Sequence, residues 1–248
     1  MRTNRNIVVL LSLLTAAIAT AAEKLPLADV QQALVVVTKD WNSVPGTLTR
    51  YERKDTSGSW RRVGSSIPIV VGRSGLGWGR GLNPAVSASG PVKHEGDGKS
   101  PAGVFALTSA FGLEEKVKGM KLPYQYLTSS IECVDDVKSE HYNTIVDRSH
   151  TSPTDWNSSE KMRAVGECYR LGIVVDHNAD PREPGGGSCV FLHIWKDEHT
   201  GTSGCTAMER KQMEKLAPWL DPAKHPVLVQ LPEAEYQDLQ KFWQLPSR

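Results

Sequence analysis

Short β-branched or alternating apolar runs recur from Ala33 to Ile194, whereas helical spacing of apolar positions is confined to the chain beyond Met208. "ALVVVTKDW" (33–41) reads as a strand. "GTLTRYERKDTSGSWRRV" (46–63) alternates on both sides of Ser57-Gly58, which predicts a hairpin, and "SIPIVVG" (66–72) predicts a further strand. A short strand is expected at Gly103–Leu107. "YRLGIVVDHNAD" and "SCVFLHIW" supply two more, joined by "PREPGGG", and "PVLVQLP" another. In "MERKQMEKLAPWL", Met208, Met213, Leu216 and Leu220 share one helical face, and "EAEYQDLQKFW" reads as a second short helix. Glu132–Met162 is polar and irregular, the pattern of a long functional loop. These elements predict one mainly β domain with a few peripheral helices, without repeats or linkers.

Two stretches depart from this pattern. "GRSGLGWGRGLNP" holds five glycines between Gly72 and Gly81. No helical pattern follows it and Pro84 interrupts, so tight turns or close backbone approach fit better than a phosphate-binding loop. The N-terminus places Arg2 and Arg5 ahead of an apolar run from Ile7 to Leu14 and closes on Ala19-Thr20-Ala21. This order predicts a secretory signal peptide over 1–22, leaving a domain over 23–248. Removing Met1–Ala22 takes two of 29 basic residues and none of 28 acids, so the mature chain carries one net negative charge. No basic block marks a nucleic-acid partner, and no further apolar stretch is long enough to span a bilayer. Export to the periplasm of a Gram-negative host, or to the exterior, is the expected destination. An oxidising compartment would pair some of Cys133, Cys168, Cys189 and Cys205. Spacing does not choose the partners, and Cys133–Cys168 is the pairing weakly preferred here.

The segment "CVFLHIWKDEHTGTSGCTAM" concentrates the candidate chemistry. A nearby imidazole or helix N-terminus activates a thiol. His193 lies on a predicted strand, twelve positions before Cys205, and a helix is expected soon after the cysteine. Gly204 gives a substrate carbonyl room to approach, with the Gly204 and Cys205 amides as oxyanion donors and Ser203 as a turn former or further donor. Three readings stay open on these residues alone. They are a catalytic pair, a core histidine with a disulfide cysteine, and a zinc site drawing on His177, His193, His199 and Cys205. The zinc spacing matches no recognised pattern.

His193 followed by "TSGC" at Thr202–Cys205 resembles the active-site signature of the L,D-transpeptidase (YkuD-type) catalytic domain. "EGDGKSPAGVFAL" upstream resembles a second segment of that family. The resemblance implies a β-sandwich or barrel-like β domain. It also implies a Cys205 nucleophile, a His193 base oriented by the Ile194 carbonyl, and no metal or cofactor. The implied partner is a peptidoglycan stem peptide. Cys205 would attack at the L-centre of its diaminopimelate, release D-Ala and hold the acyl group as a thioester. An amine would then give a 3→3 cross-link, and water a tripeptide.

The chain departs from the family pattern at three points. Ser203 stands where a histidine usually precedes Gly-Cys, Ala207 stands where an arginine is frequent, and the loop after His193 is short. His177, Arg182, Lys196 and His199 are the candidates to replace the missing cation toward a substrate carboxylate. The same departures leave two alternatives: an L,D-carboxypeptidase, and a non-catalytic wall-binding protein on the same fold.

Overall fold

The computed structural model describes residues 25–83 and 89–248. The expected signal peptide over 1–22 lies outside the described residues. The predicted hairpin forms between β2 (Pro45–Glu52) and β3 (Arg61–Val70), antiparallel, with Gly58 in the turn donating its N–H to Asp55 at 3.2 Å. "SIPIVVG" is the far end of β3, beyond a register shift opposite Leu48–Arg50, rather than a separate strand. β1 (Gln32–Thr38) is buried at all seven positions because it lies between β2 and β13 (Val227–Pro232), parallel to the latter. Its continuous Val run is the signature of a strand covered on both faces.

The strand expected at Gly103–Leu107 extends to Ser100–Gly112 (β5). Its length follows from its partners. β4 (Leu76–Trp78) and β13 take its first part, while β10 (Leu171–Val175) and β6 (Tyr124–Tyr126) take its last. β10 continues to β11 (Phe191–Ile194), β12 (Thr206–Met208) and β3. Among the described residues, eight strands close a ring in the order β10-β11-β12-β3-β2-β1-β13-β5 and back to β10. The mainly β, barrel-like expectation holds. Inside the ring a buried polar bridge ties three strands: Thr206 Oγ1 donates to Gln230 Oε1 (2.7 Å), and Gln230 Nε2 donates to the Pro101 carbonyl (2.8 Å). Both side chains are thereby satisfied in an otherwise apolar interior.

Glu132–Met162, read from sequence as an irregular loop, carries a second sheet. β7 (Ile131–Val134) is flanked by β8 (Ile145–Asp147) and β9 (Ser159–Lys161). Its strands are three or four residues long, too short to leave a period-two signal. A small apolar cluster of Phe111, Leu127, Ile131, Met162, Tyr169 and Phe191 seals this sheet to the barrel, and Cys205 belongs to it. The helix expected from Met208 begins later, as α1 (Arg210–Leu216), because Met208 is taken into β12. The second expected helix forms as α2 (Glu233–Gln240) and packs on β13 and β1.

The glycine-rich stretch works by close approach. A Cβ on Gly72 would sit 2.3 Å from the Gly98 carbonyl oxygen and 2.7 Å from the Ser100 nitrogen. Gly72→Ala is expected to lower unfolding stability by about 1–3 kcal/mol, the usual cost of overpacking a closed site. Urea unfolding tests this, and an unchanged midpoint would contradict the contact.

Candidate active site

β11 and β12 run parallel, with His193 opposite Ala207 and Leu192 opposite Thr206. Cys205 is thus the residue entering β12, beside the strand that carries His193. The connection from Trp195 to Cys205 packs on the segment that follows β3, where Thr202 bridges to Gly72. Asp197 turns it by accepting the N–H groups of His199 (2.9 Å) and Thr200 (2.8 Å). Gly201 then presses on Arg73, where a Cβ would lie 2.6 Å from the Arg73 Cα, and Arg73 N donates to the Thr202 carbonyl at 2.8 Å.

The Cys205 backbone is clamped by hydroxyls. Its carbonyl accepts Ser100 Oγ at 2.8 Å and Thr202 Oγ1 at 2.5 Å, and Ser100 Oγ in turn accepts the Gly72 N–H at 2.8 Å. The Gly204 N–H donates to Thr202 Oγ1 (3.1 Å), so this amide is engaged in the turn. Ser203 is exposed, and its Oγ accepts from the Arg73 guanidinium at 3.3 Å. The sulfur accepts the Phe191 N–H at 3.3 Å and lies 3.6 Å from the Cys189 carbonyl.

The wall at Cys189 is fixed by a disulfide to Cys133 on β7. This corrects the preferred Cys133–Cys168 pairing. Cys189 has a left-handed backbone at φ +53°, its N–H is held by Asn143, and its sulfur is bonded to Cys133. Cys168, near the end of the 3₁₀ segment Met162–Tyr169, is free and partly exposed. Neither arrangement leaves a recognisable trace in cysteine spacing.

His193 is 8% exposed, and its Nδ1 lies 2.8 Å from the Ile194 carbonyl. A carbonyl only accepts, so Nδ1 carries the hydrogen and Nε2 is left with its lone pair. Burial pushes the imidazole pKa below its ordinary 6.5, more than the Ile194 bond raises it. Burial pushes the Cys205 thiol up to about 12, with the Glu160 carboxyl adding to the rise and the Phe191 N–H, Tyr169 and Lys93 opposing it. The resting pair is therefore neutral thiol and neutral imidazole.

Cys205 and His193 open on one cleft of about 480 Å³. Of the four cations proposed from sequence, Lys196 lines it. His177 is buried elsewhere, its Nδ1 accepting the Arg80 N–H (3.2 Å) and its Nε2 bonded to the Gly186 carbonyl (3.0 Å). Arg182 donates to the Tyr142 carbonyl at 3.4 Å, and His199 stands exposed beside Glu198. The four zinc candidates do not converge, and no group of three such ligands occurs among the described residues. The cleft is also lined by Arg73, Lys93, Asp135, Glu160 and Tyr169, none of which was a candidate from the sequence. Lys93 is buried and pairs with Asp97 at 2.7 Å. The glycines around Arg73 and the "KHEGDGK" loop were the available signals for the two cations. Nothing local marks Glu160 or Tyr169.

The L,D-transpeptidase catalytic domain (YkuD) family model matches residues 43–229, most of the ring and the whole cleft. The chain belongs to this family, whose members are peptidoglycan-directed enzymes of L,D-transpeptidase type. No curated protein sequence matches. Among solved structures, one of Bdellovibrio bacteriovorus Bd1075 aligns at 13% identity with a TM-score of 0.41, covering 87% of this chain and 56% of that one. This chain thus matches little more than half the length of that protein.

An NMR pH titration of the His193 ring is expected to give a midpoint below 6.5, because the imidazolium loses more hydration than the Ile194 carbonyl returns. A midpoint above 6.5 would contradict the buried, neutral imidazole.

Proposed function

We propose that the protein is an exported cysteine L,D-transpeptidase acting on peptidoglycan stem peptides. The observation that carries this reading is the cleft shared by Cys205 and His193, with His193 Nδ1–H held by Ile194 and Nε2 free to accept a proton. The family assignment supplies the substrate class.

In the first half-reaction the Cys205 thiol gives its proton to His193 Nε2 as sulfur attacks the amide carbonyl at the L-centre of diaminopimelate. The carbonyl π pair moves to oxygen. It is received by the Cys205 amide, and by the Gly204 amide once that group turns from Thr202. The imidazolium then protonates the departing D-Ala nitrogen as the C–N bond breaks, leaving a thioester. In the second half-reaction an acceptor amine adds to the thioester carbonyl, loses a proton to Nε2, and expels Cys205 as the thiol. A 3→3 amide bond results. Water in place of the amine yields the tripeptide.

A resting thiol near 12 suits proton transfer concerted with attack, because a thiolate standing beforehand in this buried position would be costly. Arg73, against Ser203, and Lys196 offer positive charge to a substrate carboxylate where the family more often has arginine at the position of Ala207. The Cys133–Cys189 disulfide supports an oxidising destination and hence export.

The test is liquid chromatography with mass spectrometry of tetrapeptide muropeptides incubated with the mature protein. Cross-linked dimers with D-Ala release are expected from the wild type and none from Cys205→Ala. His193→Ala is expected to lose about 10²–10⁴-fold in rate. Tripeptide as the main product would convert the reading to an L,D-carboxypeptidase. Full activity in Cys205→Ala would overturn it.

A further inference from the structure

Lys93 enters the site from beside β4. Val92 bridges to Trp78, and the Lys93 N–H donates to the Trp78 carbonyl at 2.9 Å. The Lys93 side chain is 4% exposed and lies against two glycines. A Cβ on Gly187 would sit 3.1 Å from Lys93 Cε and 3.3 Å from Nζ, and a Cβ on Gly204 would sit 4.0 Å from the same Cε. Gly204 directly precedes Cys205, and Lys93 lines the cleft on which Cys205 and His193 open.

The residues that follow fix the ammonium. The Asp97 carboxylate accepts Lys93 Nζ at 2.7 Å, the His94 N–H at 2.7 Å and the Lys99 N–H at 2.8 Å. Burial opposes ionisation of Asp97, yet these donors outweigh it and hold the carboxyl below its usual range. Lys93 Nζ also donates to the His94 carbonyl at 2.5 Å. An ammonium carries three N–H donors, and among the described residues these are its two acceptors, so one donor is left over. Ser100, next to Lys99, donates to the Cys205 carbonyl, so the loop that holds Lys93 also holds the backbone of the thiol. On that backbone the Gly204 N–H is already given to Thr202 Oγ1.

We infer that Lys93 is a further catalytic residue, whose third ammonium N–H donates to the carbonyl oxygen of the substrate as Cys205 attacks. Its Nζ is one bond beyond a Cε that lies against Gly204, the residue whose amide was expected to receive the oxyanion. Lys93 supplies the second donor beside the Cys205 amide, whether or not the Gly204 amide turns from Thr202. The hydrogen bond strengthens as the carbonyl π pair moves onto oxygen, and Lys93 keeps its proton throughout. When the pair returns and the leaving group departs, the ammonium is unchanged. A full charge in a buried position is worth more to a developing oxyanion than the same charge in water. Asp97 is the positioning residue, since it holds the ammonium and, through His94 and Lys99, the loop that carries it.

This inference rests on Cys205 being the nucleophile of the proposed reaction, but its test uses no peptidoglycan, so it succeeds or fails separately from the proposed substrate. Two reagents are compared in a Cys168→Ser background, with modification of Cys205 assigned by peptide mass. p-Nitrophenyl acetate transfers its acetyl group to sulfur through a tetrahedral oxyanion and releases p-nitrophenol. Iodoacetamide alkylates the same sulfur by displacing iodide, with no oxyanion. In Lys93→Met acylation is expected to fall about 10²–10³-fold, the usual loss for one oxyanion donor. Alkylation is expected to fall about tenfold or less, since there the lost charge acts only on the thiolate fraction. Lys93→Met leaves Asp97 buried without its cation. Should that variant lose the fold, Lys93→Met with Asp97→Asn removes both charges, and the same excess loss of acylation is expected. Unchanged acylation, or an equal fall in the two rates, would make Lys93 a structural ion-pair partner and overturn the inference. Wild-type protein that alkylates at Cys205 but takes no acetyl group would overturn it equally.

Discussion

Ser100–Gly112 pairs with β13 through residues 103–106 and with β10 through residues 107–112, and this double engagement turns a curled sheet into a closed ring. The candidate site depends on that closure. β10 carries β11 and hence His193, while the first residue of β5, Ser100, reaches up to the Cys205 carbonyl. Thiol and imidazole are therefore registered against each other through the barrel, not through the short loop that joins them. Gly72 lies beneath this joint, where only a hydrogen fits between it and the Gly98–Ser100 backbone.

A second constraint acts from the other side. The three-stranded sheet is bolted to the segment before β11 by Cys133–Cys189, and the apolar seam between sheet and barrel includes Cys205 itself. The sulfur is surrounded by fixed groups: the Phe191 N–H, the Cys189 carbonyl and the Tyr169 ring. Burial raises the cost of a standing thiolate, so the proposed reaction needs a base able to take the proton during attack. His193 suits that demand because its own burial keeps it neutral and its Nδ1–H is already committed to Ile194.

Much of the barrel was legible along the chain because its strands are long or fully apolar. The Val run of β1, the Ser57-Gly58 hairpin, β10, β11 and β13 all carry their own pattern. β12 was absorbed into the helix that follows, since Met208 fits either period and three residues decide nothing alone. β7, β8 and β9 were hidden for the same reason and by their polar surroundings. At the site, His193 and Cys205 lie within one short segment, so local chemistry marks them as a candidate pair, while the Ile194 carbonyl is named only by the family resemblance. Arg73, Lys93, Glu160 and Tyr169 reach the cleft only through tertiary pairing, and the disulfide of Cys133 forms at a left-handed backbone position, Cys189, that no spacing encodes. The strand-like apolar run around Cys189 makes it read as a core residue and favours Cys168 as the partner of Cys133, yet the fold leaves Cys168 free.

The most direct test of the central claim is the intact mass of the mature protein, quenched in acid within its first turnovers on a tetrapeptide stem. The account predicts a tripeptide acyl adduct that peptide mapping places on Cys205. An adduct on Cys168, or turnover without any acylated protein, would contradict it.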